Sequence, residues 1–156
     1  MKSSLLALTA VLALGFIPQG RAQETALAPI VGATAETQAT LGSGADGAVV
    51  VPDPADPSRI LILAGAESAG IDIFDTAGQR IATHQVGDIR ALDLREGAAP
   101  SGGALLAALD GRANAPRLFK VGAGGVPAPV TLTGIKPAMT VAGLCLARSH
   151  RDGTLY

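Results

Sequence analysis

The sequence has few of the bulky side chains that usually fill a protein core. Its 156 residues include no Trp, one Tyr and three Phe, although aromatic side chains normally bury the largest areas. A single cysteine, Cys145, excludes an internal disulfide framework. Because it lies in the apolar run Gly143–Ala147, we expect a buried, unreactive thiol rather than a nucleophile. The composition therefore predicts that the chain has too few bulky side chains for ordinary self-sufficient packing.

The N-terminal residues have the pattern of a secretory signal peptide. Lys2 supplies a positive start, Leu5–Ile17 is a nearly unbroken apolar run, and small residues precede a cleavage point after Ala22. The apolar run is shorter than the roughly 20 residues of a membrane-spanning helix. We therefore predict a signal peptide over residues 1–22, a secreted or periplasmic location and no membrane span.

The mature chain would be mildly acidic. Because Lys2 and Arg21 leave with the signal peptide, 10 basic residues remain against 13 acidic ones, a formal charge of −3. Proteins that bind nucleic acid carry concentrated positive charge. The sequence therefore predicts no nucleic-acid partner.

Short apolar segments separated by turn residues follow a leader without periodicity. Residues 23–44 are mainly Ala, Thr, Gly and Glu and predict a flexible leader. Nine apolar segments then alternate with Gly, Pro, Asp or Asn, which predicts an all-β antiparallel meander without βαβ units. The predicted strands are Ala48–Val51, Arg59–Leu63, Ile71–Phe74, Arg80–His84, Ala91–Leu94, Ala104–Leu109, Arg117–Val121, Val130–Leu132 and Val141–Ala147.

Two connections between these strands have clear turn chemistry. The segment 52–57 contains three prolines, which lack a donor for a sheet, and it predicts a rigid connection outside the sheet. The segment 75–78, Asp-Thr-Ala-Gly, predicts a tight hairpin turn. In the strand between them, Asp72 is predicted to face solvent while Ile71 and Ile73 face the core.

A short repeat relates the two halves of this region, and its Phe74 and Phe119 lie 45 residues apart. The run 61–63, Leu-Ile-Leu, followed by Phe74 is echoed by the run 105–107, Leu-Leu-Ala, followed by Phe119. A β-propeller blade, which is a four-stranded antiparallel sheet, takes about 40 to 45 residues. The spacing therefore favours a propeller.

Four segments, in order along the chain, resemble motifs of the β-propeller phytases. Asp46–Gly78 is similar to the family's D-D-P-A-I-W-V-N-P-x-D-P-x-x-S-x-I-I-G-T-D-K-x-x-G-L-x-V-Y-D-L-x-G, and Gly87–Arg95 to its G-R-L-N-N-V-D-V-R. Ala107–Val121 resembles A-A-S-D-R-x followed by I-x-L-Y-x-V, and Ala142–Tyr156 resembles Y-G-L-C-L-Y-R-S-x-x-D-G-x-L-Y. The resemblance implies a partial phytase-like domain over residues 45–156, about two blades of an incomplete six-bladed β-propeller.

The resemblance also implies a function, the calcium-dependent release of phosphate from myo-inositol hexakisphosphate (phytate), as in 3-phytase-type phosphoric monoester hydrolases. In that family carboxylates hold calcium ions, while Lys, Arg and the metals engage the phosphates. Asp46 and Asp93 are then the candidate metal ligands, with calcium as cofactor. Arg112 is the candidate phosphate-binding residue, and no residue matches a catalytic position.

Several residues of the family's site are replaced in this chain. Gly47 stands where the family has a second Asp, and Ala66 and Glu67 replace the Asp and Lys of T-D-K, which reverses one charge. Arg90-Ala91 replaces an Asn pair, and Thr140–Ala142 replaces Glu-x-Tyr. We therefore expect this chain to be inactive by itself.

Two other hypotheses stay open from the sequence. One is a non-catalytic accessory or ligand-binding propeller module attached to an active phytase domain, with a downstream propeller as its partner. The other is an unrelated secreted propeller. Because Tyr156 falls at about the second of six blades, the sequence also indicates a truncated or fragmentary chain.

Overall fold

The computed structural model describes residues 32–133, 135 and 137–156. The predicted signal peptide and the first part of the predicted leader lie outside these residues. Ala33–Tyr156 form one unit that contains two four-stranded antiparallel sheets, in each of which strands that follow one another in sequence are hydrogen-bonded neighbours. The first sheet consists of β1 (Ala48–Asp53), β2 (Asp56–Gly65), β3 (Ile71–Phe74) and β4 (Arg80–His84), and the second of β5 (Ile89–Arg95), β6 (Leu105–Asp110), β7 (Ala115–Val121) and β8 (Pro127–Val130).

The predicted all-β antiparallel meander is confirmed, and eight of the nine predicted segments overlap an observed strand. The prediction for Val141–Ala147 is wrong, since this segment belongs to neither sheet. Its last residue is instead paired locally: Ala147 and Tyr156 exchange backbone hydrogen bonds of 2.8 and 2.7 Å. In the described part of the chain, no helix has the length and apolar content to span a bilayer.

The prolines between β1 and β2 lie closer to the sheet than predicted. Pro52 is opposite Ile60 in the β1–β2 ladder, and Pro57 lies within β2. A proline is tolerated in an edge strand because one side of the backbone has no partner, and β1 is an edge strand of the first sheet. The prediction that the segment lies outside the sheet is therefore wrong for both residues.

The hairpin turn predicted after β3 is confirmed. The Gly78 amide donates to the Asp75 carbonyl at 3.0 Å. The Asp75 carboxylate accepts hydrogen bonds from the amides of Ala77 and Gln79, both at 2.9 Å. Gly78 has φ of 79°, a conformation that glycine adopts without strain.

The apolar core lies between the two sheets, which pack face to face. Most of its side chains are aliphatic, and burying each large one contributes roughly 1.5–3 kcal/mol. The first sheet contributes Val51, Leu61, Leu63, Ile71 and Ile73, and the second sheet contributes Ile89, Leu106, Ala108, Phe119 and Val121.

The opposite face of the first sheet is covered by the chain segment Gln38–Leu41. Asp72 lies on this face and is fully buried, so the prediction that it faces solvent is wrong. Its carboxylate accepts hydrogen bonds from the Leu41 amide at 2.8 Å and from the Thr83 hydroxyl, and the Arg80 guanidinium lies 3.9 Å away. The side chains of β3 alternate between the two faces of the sheet as predicted, but the segment Gln38–Leu41 covers the face that carries Asp72.

The opposite face of the second sheet is partly covered by the segment Leu144–Leu155. Leu144 and Leu146 pack against this face. Cys145, between them, is exposed, because neighbouring side chains of an extended segment point in opposite directions. The prediction of a buried thiol is therefore wrong.

The carboxylate of Asp53 links the two sheets at the end where β1 meets β2. It accepts hydrogen bonds from the amides of Ala55, at 3.0 Å, and of Gly124, at 2.9 Å. Gly124 belongs to a short 3₁₀ turn, Ala123–Gly125, between β7 and β8. The hydrogen bonds from Ala55 and Gly124, with the charge of Arg59, hold the pKa of Asp53 below its usual value.

Replacing Asp72 by Ala should destabilise the fold, because the Leu41 amide and the Thr83 hydroxyl lose their acceptor in a buried place. We expect a loss of roughly 2–4 kcal/mol in the free energy of unfolding, measured by denaturant titration. Glu96→Ala is the matched control, since Glu96 is exposed. Equal stability of the two variants would contradict the structural role of Asp72.

The lowered pKa of Asp53 predicts a loss of stability in acid. A carboxyl group with a depressed pKa in the folded state stabilises that state above the unfolded-state pKa of about 4, and this contribution disappears as the pH falls through the folded-state value. Asp53→Asn should therefore be less stable than the parent chain at neutral pH. The difference should narrow as the pH falls below about 4 in thermal unfolding. A difference that stays constant through this range would contradict the assignment.

Candidate functional site

Three segments in which this chain departs from the phytase motifs line one cavity of about 740 Å³. Asp46 and Gly47 precede β1, Arg90 and Ala91 belong to β5, and Thr140–Ala142 precede the covering segment of the second sheet. The cavity therefore contains one carboxylate, one guanidinium and one hydroxyl among small apolar side chains. We call it the Asp46 cavity.

The backbone at Gly47 disfavours the second Asp of the family's motif. Gly47 has φ of 111°, which side-chain-bearing residues rarely adopt. Nearby, Arg90 forms an ion pair with Asp88 at 3.3 Å. Asp46 is exposed at the cavity wall, so this end of the molecule offers one carboxylate beside a positive charge.

The other candidate metal ligand, Asp93, holds the covering segment of the second sheet. One carboxylate oxygen accepts hydrogen bonds from the Leu94 amide at 2.8 Å and from the Arg95 guanidinium at 3.0 Å. The other oxygen accepts a hydrogen bond of 2.6 Å from the Leu146 amide. Asp93 is not one of the described residues that line the Asp46 cavity.

These contacts do not fit a calcium site shared by Asp46 and Asp93. Calcium takes six to eight oxygen ligands, whereas the described residues contain no group of three or more His, Cys, Asp or Glu side chains placed to hold a metal ion. Both oxygens of Asp93 are already hydrogen-bonded. Calcium binding stays a prediction from the resemblance, and we derive no chemical step through it.

The residues that replace T-D-K connect the two sheets. Ala66 is fully buried, so a carboxylate there would be buried as well, at a high desolvation cost. Glu67 has φ of 42°, and its backbone exchanges hydrogen bonds with Ile89 at 3.0 and 3.1 Å. Its side chain accepts a hydrogen bond from the Ser43 hydroxyl. Glu67 is therefore occupied by structural contacts.

A second, polar cavity of about 440 Å³ contains Arg112, the predicted phosphate-binding residue. We call it the Arg112 cavity. The first sheet contributes its β2–β3 turn and the residue after β4, and the second sheet contributes the start of β5 and the β6–β7 turn. The lining residues are Ser68, Gln85, Gly87, Asp88, Asp110, Arg112, Ala113 and Arg117.

Asp110 organises the wall of the Arg112 cavity. It is 3% exposed, and its carboxylate accepts hydrogen bonds from the amides of Arg112, at 3.1 Å, and Ala113, at 3.0 Å. The Arg117 guanidinium pairs with it at 2.9 Å. Gly87 packs so closely that a side chain there would lie 2.5 Å from the Asp110 carboxylate. These contacts fix the backbone of the turn that carries Arg112.

The Arg112 cavity offers several hydrogen-bond donors beside carboxylates that are already ion-paired. Asp110 is paired with Arg117, and Asp88 is paired with Arg90. Arg112 is exposed and forms no ion pair with another described residue. Its guanidinium, the solvent-facing part of Arg117 and the Ser68 hydroxyl can all donate. An anion with several oxygens is the ligand that this arrangement favours.

Comparison with known proteins does not assign the chain to a family. No protein-family model matches it, and no curated protein is significantly similar to it. The phytase resemblance therefore rests on the motifs and stays a prediction.

Sequence reasoning missed most of the Arg112 cavity. Arg112 was predicted from the resemblance alone, while Ser68, Gln85 and Arg117 were not singled out. Ser68 and Gln85 reach the cavity because the first sheet packs on the second, which no local pattern reveals. Asp110 and Arg117 are diagonal neighbours across the β6–β7 hairpin, since Asp110 is opposite Ala115 and Arg117 is opposite Ala108. That hairpin was predictable, so this pair offered a usable signal.

Replacing Asp93 by Ala should free the covering segment, because the Leu146 amide loses its charged acceptor. We expect amide hydrogen exchange at Leu146 to become about 10- to 100-fold faster, as the loss of a hydrogen bond to a carboxylate implies. Glu96→Ala, an exposed acid just after β5, should leave this exchange unchanged. Unaltered exchange at Leu146 in the Asp93 variant would contradict the role assigned to this carboxylate.

Proposed function

We propose that the chain is a non-catalytic, phosphate-binding module related to the β-propeller phytases. In this proposal its two sheets are consecutive blades. Each sheet is a meander of four antiparallel strands, and the two pack face to face. Phe74 and Phe119, which lie 45 residues apart, are both buried, on the corresponding strands β3 and β7. These features support a propeller, and the ordered motifs support the phytase relationship.

The observation that carries the proposal is the Arg112 cavity. Its two acids are neutralised by Arg90 and Arg117, which leaves the Arg112 guanidinium available. A guanidinium binds phosphate oxygens through parallel hydrogen bonds. Phytate carries six phosphates and fits a site that engages one or two of them at its open mouth. Export of the chain, which its N-terminal sequence predicts, would place it where such a ligand is encountered.

Residues at the positions that a calcium-dependent phytase would use make structural contacts in this chain. Both oxygens of Asp93 bind protein groups, and Glu67 binds Ser43. The backbone at Gly47 disfavours an added Asp. The alternative, release of phosphate from phytate, requires a set of metal-binding carboxylates that these residues do not supply. An accessory role beside an active phytase domain agrees with this chemistry.

Calorimetric titration with phytate tests the binding half of the proposal. We expect a dissociation constant on the order of 0.1–1 mM, since the site is open and few charges are desolvated. Arg112→Gln should weaken binding about five- to tenfold. Arg151→Gln is the matched control, because Arg151 is exposed and does not line the cavity. No heat, or equal loss in both variants, would contradict the site.

A phosphate-release assay on the same protein tests the catalytic half. With phytate in excess, we expect no release in the presence of calcium or after chelation. Release that chelation abolishes would contradict the non-catalytic role and would favour the calcium-dependent alternative.

A further inference from the structure

Four of the seven exposed large apolar side chains among the described residues lie on the outer faces of the two sheets, the faces turned away from the shared core. On the first sheet these residues are Val50, 60% exposed, and Ile81, 39% exposed. Val49, Val51 and Ala82 turn toward the core, so Val50 and Ile81 lie on the opposite side by strand alternation. We call this surface the first outer face.

The second sheet has an apolar outer face with a cavity of about 460 Å³. Ile135 and Tyr156, which line this cavity, are 57% and 71% exposed. We call this surface the second outer face. The rest of its lining is also mainly apolar and consists of Ala107, Pro116, Leu118, Leu132, Leu144, Cys145, Leu146 and Leu155.

The chain covers different halves of the two outer faces. On the first outer face, Gln38–Leu41 lies over β3 and β4: the Gln38 amide donates to the Gly78 carbonyl at 2.8 Å, and the Leu41 amide donates to Asp72. The half formed by β1, where Val50 is exposed, stays open. On the second outer face, Leu146 is tied to β5 through Asp93, and the open half lies at β7.

The repeat relates the two outer faces to the two core-facing sides, which pack together within the chain. Leu61 and Leu63 of the first sheet point into the shared core, whereas their counterparts Leu105 and Ala107 lie on the second outer face. Phe74 lies on the same side as Asp72, on the first outer face, whereas its counterpart Phe119 points into the core. The second outer face therefore corresponds to the core-facing side of the first sheet, and the first outer face corresponds to the core-facing side of the second sheet. Since those two core-facing sides pack together within the chain, the two outer faces are suited to pack together between chains.

We propose that the chain associates head to tail with a second copy of itself. The second outer face of one copy packs on the first outer face of the next. In this contact the segment Leu144–Leu155 of one copy lies over the open β1 half of the other copy's first outer face. The segment Gln38–Leu41 of that other copy lies over the open β7 half of the second outer face. Because the two surfaces differ, the contact is heterologous and can repeat from copy to copy. It involves no residue of the Arg112 cavity; it rests on the part of the proposed function that makes the two sheets consecutive blades, and not on phosphate binding.

Light scattering coupled to size-exclusion chromatography of the full chain tests the association. The average mass should rise with protein concentration in the parent chain. Val50→Glu and Ile135→Glu each place a charge on one face, at exposed positions where the fold tolerates it, and each variant alone should remain monomeric. Val126→Glu is the control, because Val126 is 46% exposed beside the 3₁₀ turn that binds Asp53.

Mixing the two variants distinguishes a head-to-tail contact from every other kind. Each variant keeps one intact face, so a 1:1 mixture of Val50→Glu and Ile135→Glu should form a species of twice the monomer mass and nothing larger. Association that Ile135→Glu abolishes and Val50→Glu does not would indicate pairing of two second outer faces and would overturn the proposal. A parent chain that is monomeric at all concentrations, or aggregates that neither substitution affects, would overturn it as well.

Discussion

Face-to-face packing of the two sheets is the interaction on which the rest of the structure depends. Leu, Ile, Val and Ala side chains of β1–β3 and of β5–β7 form one shared core between the sheets. At one end of this interface the Glu67 backbone pairs with Ile89, and at the other end Asp53 binds Gly124. Because the sheets are held at both ends, Ser68 and Gln85 of one sheet stay beside Arg112 of the other.

Local pattern was sufficient to predict strands, because each strand is short and ends at a residue with strong turn chemistry. Ile71–Phe74 and Arg80–His84 were predicted with the bounds that the structure has, since Asp75 and Gly78 separate them. Local pattern failed where a distant segment decides the environment. Asp72 alternates with buried Ile residues, yet Leu41 approaches from outside and buries it. The sequence around Asp72 does not predict the contact with Leu41.

The candidate site also contains some residues that the sequence located correctly and others whose surroundings depend on distant contacts. Of the positions that the motif comparison assigned to the family's site, Asp46, Gly47, Arg90 and Thr140 line one cavity, whereas Ala66 and Glu67 do not. The structure does not bring Asp93 there, because the carboxylate of Asp93 is bound to Leu146. Asp93 therefore matches the motif in sequence, while its side chain holds the covering segment in place. Arg112 differs, since its guanidinium forms no ion pair with another described residue and lines an open polar cavity.

Mapping the ligand contact by nuclear magnetic resonance tests the account most directly. Phytate is added to the isotope-labelled chain, and the change in chemical shift of each backbone amide is followed. The account predicts that the largest changes fall at Gly87, Asp88, Arg112 and Ala113, with Gly47 and Leu94 unaffected. Changes centred on Gly47 and Leu94, or spread evenly over the exposed basic residues, would contradict a phosphate-binding site between the two sheets.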